Sequence, residues 1–166
     1  TPLAVDPGHP FPYISNLSLN LAAVIRDPVT GERRFARVKI PPLLPRCTAL
    51  PDGERFVPLE EVVAARFDQL FPGMGIVSVH VFRVTRDADV EVEEDEADDL
   101  LAAIETVLQR RQRGATAIRL EIDPTMSDEM RQLLMRELGV DESQVYVGEW
   151  LLALGDLWFF AGLDRP

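Results

Sequence analysis

Ile14–Ile40 runs ISNLSLNLAAVI, then RDPVTGERR, then FARVKI, and its reading decides the fold class. From Ile14 to Ile25 apolar and polar residues alternate. Leu17, Leu19 and Leu21 fall on one face, with Ser18 and Asn20 on the other, and this period of two predicts a half-buried strand. Asp27-Pro28-Val29-Thr30-Gly31 supplies turn chemistry, and Phe35, Val38 and Ile40 belong to a second strand. The two are expected to form a hairpin.

Upstream, residues 1–12 hold four prolines and a glycine without periodic pattern. They read as an extended lead-in arriving from a preceding domain. Downstream, Pro41, Pro42, Pro45 and Pro51 predict a loop or an edge crossing, because proline donates no ladder hydrogen bond. A short strand at Arg55–Val57 follows. Pro58 then opens a helix with Glu60 and Glu61 in its first turn and Val62, Val63, Phe67 and Leu70 on its apolar side. Pro72-Gly73 stops it.

Ile76–Val84 is the strongest strand signal. Val77, Val79 and Val81 are expected on one face, and Ile76, His80 and Phe82 on the other. Arg86-Asp87-Ala88-Asp89 reads as a turn into a short strand, Val90–Val92. The acidic run Glu93–Asp99 then opens a long helix that closes at Arg110, Arg111, Arg113 and Gly114. A strand from about Ala117 to Ile122, a helix capped by Ser127 and ended by Gly139, a strand Val145–Val147 and a helical Leu151–Leu163 complete the order. The expected fold is α/β (α+β), a mixed β-sheet flanked by helices, over 13–166.

The composition narrows the function classes. The chain has 166 residues, is 46% hydrophobic and 27% charged, and carries 28 acidic against 17 basic residues for a net charge of −11. This balance excludes broad nucleic-acid or polyanion binding. Lys39 is the sole lysine among the basic residues. We read that imbalance first as coding bias and second as room for a small arginine pocket. No apolar run reaches the length of a transmembrane helix, and the opening residues, with no basic and no apolar region, are not expected to be a signal peptide. Cys47 is the single cysteine, so no disulfide forms within the chain, and a cytoplasmic setting is expected. The start without Met suggests a segment of a longer protein.

No GxGxxG, Walker, HExxH, GxSxG or CxxC pattern occurs, so no catalytic, cofactor-binding or metal-binding residue is assigned. His80 on a strand could accept a phosphoryl group or serve as a base. Nothing in the sequence converges on it, and a packed, hydrogen-bonded histidine is the preferred reading. The acidic run lacks calcium-loop spacing and suits a helix N-terminus, as the Arg110–Arg113 cluster suits a C-terminus. Arg83, Thr85, Arg86, Asp87 and Asp89 crowd one turn. They form either a stapled turn with an Arg–Asp pair or a docking contact to another domain or a second copy, with Arg83 and Arg86 facing different partners.

The strings HPFPYISNLSLNLA (9–22), FARVKIP (35–41), RFVPLE (55–60), LFPGM (70–74), FRVTRDAD (82–89) and VEVEED (90–95) come in order. MRELG (135–139) and the closing LGDLW and LDRP follow. Together they closely resemble the middle domain of bacterial polyphosphate kinases of the first type. That resemblance implies a parent enzyme that moves phosphate from ATP onto polyphosphate with magnesium, through a phosphohistidine beyond Pro166. It implies no cofactor in this segment, a topology like that of phosphohistidine phosphatases without their activity, and a head-domain role in positioning and dimerisation. The implied partners are the other domains of the same polypeptide and a second copy. His80 does not correspond to the phosphorylated residue. Departures from the pattern lie at Cys47, at IVSVHV before Phe82, at Asp87 and around Val147–Trp150. An autonomous phosphate-handling enzyme built on His80 and a plain protein-interaction domain are the alternatives.

Overall fold

In a computed structural model of the chain, residues 3–4, 11–87, 116–149 and 151–162 are described. The second expected strand of the hairpin is Arg33–Lys39 (β3), paired antiparallel with Leu19–Arg26 (β2). The turn between them is closed as its sequence predicts. Asp27 Oδ1 accepts from the Val29 and Thr30 N–H groups, and those donors hold its carboxyl below the usual range. Gly31 takes φ +75° there, a conformation glycine reaches without Cβ strain.

Two expectations for this region need correction. The alternating stretch does not enter the sheet at Ile14. The strand starts at Leu19, because Leu17 adopts φ 57° and turns the chain there, while its N–H donates to Val84 O at 2.8 Å. The lead-in is not wholly structureless either, since Leu3–Ala4 (β1) pairs with Ala36 and Arg37 at the sheet edge.

The central strand is Gly75–Arg86 (β6), antiparallel to β2 and to Ala117–Ile122 (β7), and Val145–Val147 (β8) pairs parallel with β7. The sheet has six strands in the order β1-β3-β2-β6-β7-β8, the mixed sheet expected. A register shift between Val24 and Ile25 of β2 leaves Val77 of β6 without a partner. This bulge moves Ile76 to the face of Val79 and Val81 and leaves Val77 exposed, which corrects the alternation assigned to Ile76–Val84.

The proline-rich stretch also holds structure that was read as loop. Cys47–Ala49 (β4) pairs with Phe56–Pro58 (β5) in a separate hairpin. Pro58 caps the helix rather than opening it. Leu59–Ala64 (α1) is followed by the single turn Phe67–Leu70 (α2), with Val62 exposed instead of in the apolar stripe. Asp128–Leu138 (α3) follows its sequence signals closely. Ser127 Oγ accepts from the Met130 N–H, and Gly139 closes the helix at φ +68°, a cap worth about 1 kcal/mol. The Leu151–Leu163 segment is only partly helical, a 3-10 turn Leu154–Leu157 leading into Trp158–Ala161 (α4).

Helices flank both faces of the sheet. On one, Met130, Leu134, Met135 and Leu138 of α3 pack on Phe82, Val84, Leu120 and Ile122. On the other, Phe67, Leu59 and Val63 with Leu152 pack on Leu21, Ala23 and Ile25. Each fully buried Leu or Phe contributes about 1.5–3 kcal/mol. Burial on both faces explains why Asn20, read as a solvent-side residue, is fully buried. The residues expected to form the Val90–Val92 strand, the acidic run and its helix, and Arg110, Arg111, Arg113 and Gly114 lie outside the described residues, as do His9 and Asp89.

Candidate functional site

Arg83, Thr85 and Arg86 belong to the last turn-ward residues of β6 rather than to a tight turn. Strand alternation separates them as expected: Arg83 and Thr85 share one face and Arg86 lies on the other. On its face Arg83 pairs with Glu121 at 2.7 Å and reaches Leu17 O at 3.3 Å. Its carboxylate partner is thus Glu121 of β7. Thr85 lies half-buried opposite Arg119.

Arg86 points into the fold. Its Nε donates to Ile14 O at 2.7 Å, its guanidinium lies 4.5 Å from the Tyr13 ring centroid, and its own N–H donates to Asn16 Oδ1 at 2.8 Å. It therefore anchors the segment Tyr13–Asn16 that turns away from β2. Asp87 is exposed, and its N–H donates to Thr116 O at 2.9 Å.

The Arg83 face continues across the sheet as a polar row. Glu121 also pairs with Arg119 at 3.3 Å, and the Arg119 guanidinium stands 4.0 Å over the Tyr146 ring of β8. Beside this row runs the segment from Leu151 to Gly162. Leu152 inserts into the core, while Phe159 and Phe160 meet Phe56 of β5 edge-on at 5.7 and 5.2 Å. Trp158 is 80% exposed, and Leu154 and Phe159 are also open to solvent.

One arginine ties this segment down. Arg46 donates to Glu60 Oε1 at 2.6 Å, to Asp156 Oδ2 at 2.9 Å and to Ala153 O at 2.9 Å. Burial would lower the Arg46 pKa, but the bonds and charges of Glu60 and Asp156 outweigh it and hold it above the ordinary value. Glu60 was read as a first-turn acid facing the helix dipole. It does lie in that first turn, where it is also 2% exposed and paired with Arg46. Arg46, Glu60 and Asp156 stand 14 and 110 residues apart in sequence, so no spacing pattern reveals them. The visible hint was an arginine inside a proline-rich stretch. Between this triad and Asn16–Leu19 lies a cleft of about 580 Å³ lined in part by Lys39, Arg46, Cys47, Arg83, Asp156 and Phe159.

His80 sits apart, on the face of Phe82. It is 8% exposed, with Nδ1 3.2 Å from Thr125 Oγ1 and 3.7 Å from Asp123 Oδ2. Asp123 in turn accepts from the Val81 N–H at 2.9 Å. This is the packed, hydrogen-bonded histidine that the sequence reading preferred. Cys47 is buried, which pushes its thiol up, away from the thiolate a nucleophile needs. Among the described residues no three His, Cys, Asp or Glu side chains come together, so no magnesium ligand set is assigned here. No helix of the described residues is long and apolar enough to cross a membrane.

Comparison with known proteins adds the family context. The profile described as "Polyphosphate kinase middle domain" matches residues 1–160. A polyphosphate kinase of Synechocystis sp. is 55% identical over 177 aligned positions, covering all of this chain and 24% of that protein. One of Streptomyces coelicolor is 53% identical over 166 positions, again covering the whole chain and 22% of the relative. The crystal structure of polyphosphate kinase from Porphyromonas gingivalis superposes with a TM-score of 0.72 over the whole chain and 23% of its own length. At 21% identity that likeness shows the fold alone. The chain spans about a quarter of the length of these relatives.

Proposed function

The chain belongs to the polyphosphate kinase middle-domain family, and from that membership we propose that it is the positioning module of an ATP–polyphosphate phosphotransferase. In this reading the module orients the neighbouring domains of its polypeptide and contributes to the contact between two copies. Phosphoryl transfer, with ATP, magnesium and the phosphorylated histidine, is carried by residues outside this chain. Its expected setting is the cytoplasm.

The observation that carries this reading is the surface formed by the Arg83–Glu121–Arg119–Tyr146 row and the adjoining segment with Leu154, Trp158 and Phe159. It combines exposed aromatic and apolar side chains with fixed charges, the composition of a contact between domains. The polar groups beneath it are already bonded to one another, so it is preformed rather than ordered on docking. His80, by contrast, is turned into the fold. An acidic module also repels a long polyanion, in keeping with polyphosphate being held elsewhere.

Trp158→Ser in the full-length parent tests the proposal. The thermal midpoint of the chain itself is expected to stay within about 2 °C, because the ring is exposed. In the parent, kcat/KM should fall by roughly tenfold, or the dimer should dissociate in sedimentation, as loss of an aromatic contact residue predicts. Unchanged kinetics together with unchanged mass would contradict it.

A further inference from the structure

Seven arginines of the described residues carry a carboxylate partner. Arg37 does not. It is 7% exposed, and its Nε and Nη2 both donate to a single neutral acceptor, Asn20 Oδ1, at 2.8 and 2.6 Å. Burial lowers its pKa, and none of the described acidic groups offsets that effect. Lys39 lies two residues further along β3, hence on the same face. Its Nζ donates to Ser15 Oγ at 3.1 Å, another neutral oxygen.

A buried guanidinium without a counter-charge is costly, and a second cation about 6.5–7 Å along the strand raises that cost by repulsion. In a chain with 28 acidic residues, carboxylates were available to neutralise both positions, yet neutral side chains stand there. We propose that Arg37 and Lys39 form a seat for one tetrahedral oxyanion, a phosphate group. Asn20 is the positioning residue that fixes the guanidinium plane through Nε and Nη2, so that Nη1 and the lysine ammonium remain to meet the ligand. A guanidinium edge beside a mobile point charge is a combination suited to phosphate oxygens. The acidic field of the whole chain disfavours a long polyanion across a broad surface, whereas two adjacent cations take a single phosphate group, either free or at the end of a chain. The seat is read from charge and burial alone and goes beyond the positioning role, so either can fail without the other.

Isothermal titration of the 166-residue chain with inorganic phosphate at low ionic strength is the test, with tripolyphosphate and acetate as parallel arms. Saturable phosphate binding with a dissociation constant below about 5 mM is expected, weakened by about tenfold in Lys39→Gln and more in Arg37→Gln. Lys39 is only half-buried, so Lys39→Gln keeps the fold and leaves the test informative if Arg37→Gln unfolds. Binding of phosphate but not tripolyphosphate identifies the free anion as the ligand, and binding of both identifies a terminal phosphate group as acceptable. No saturable heat with phosphate, binding of acetate alone, or wild-type affinity in Lys39→Gln would each overturn the proposal.

Discussion

Arg46→Met is expected to destabilise the chain by about 3–5 kcal/mol, since it leaves Glu60 as a buried carboxylate without its partner. Arg46 is itself only 12% exposed. It joins β4, the first turn of α1 and the Leu151–Gly162 segment through Glu60, Asp156 and Ala153 O. The strength of that junction is geometric, because the partners are far apart in sequence and each holds a different element. Two observations make the loss asymmetric. Glu60 is 2% exposed and has nowhere to be hydrated, whereas Asp156 is half open to water and tolerates separation. The double variant Arg46→Met/Glu60→Leu should therefore recover stability to within about 1 kcal/mol of wild type, as replacement of a buried ion pair by apolar groups commonly does. Urea denaturation of the four-member cycle measures both. A double variant as unstable as the single one would show that packing around Arg46, and not the unpaired carboxylate, sets the loss.

Arg86→Met is expected to cost about 2–4 kcal/mol in the chain on its own. The hydrogen bond from its charged Nε to Ile14 O is worth about 1.5–3 kcal/mol, and its stacking on Tyr13 adds about 0.5–1 kcal/mol. For a domain of this length that corresponds to a fall of about 4–16 °C in Tm. The outcome separates two roles for the same residue. As an anchor of Tyr13–Asn16, Arg86 acts within the fold and its loss is visible in the isolated chain. As a contact to another domain, it would leave the chain's Tm unchanged and affect only the parent's mass or kinetics. Arg83 and Thr85, on the opposite face, are the members of that group left facing the polar row.

Legibility followed the range of the signals. Ser127 and Gly139 mark α3 to the residue because a cap hydrogen bond and a left-handed C-terminus are decided within four residues. The strand Ala117–Ile122 and the hairpin of β2 and β3 were equally local. The Val77 bulge was not, since two versus one residue across a ladder depends on the register of β2 against β6. Nor was the entry to β2. Ile14–Ile25 keeps its alternation through Leu17, and only the tertiary bond from Leu17 N–H to Val84 O reveals the turn.

The site was legible in one half. Arg83 and Arg86 were expected to face different partners, and the pleat separates them. Their partners were not legible: Glu121 and Ile14 O lie 38 and 72 residues away. The Arg46 triad escaped for the same reason, with prolines on either side masking a short β-hairpin. The family strings supplied what periodicity could not, because they carry side-chain identity over the length of the chain.

The most direct test of the central claim, that the chain positions chemistry performed elsewhere, is incubation of the chain with γ-labelled ATP and magnesium. Protein-bound acid-labile label and polymeric product are then scored. The account predicts neither, because His80 is buried against Thr125 and Asp123 and Cys47 is held as a buried thiol. Stoichiometric label mapped to His80, or polymer made by the chain alone, would contradict it.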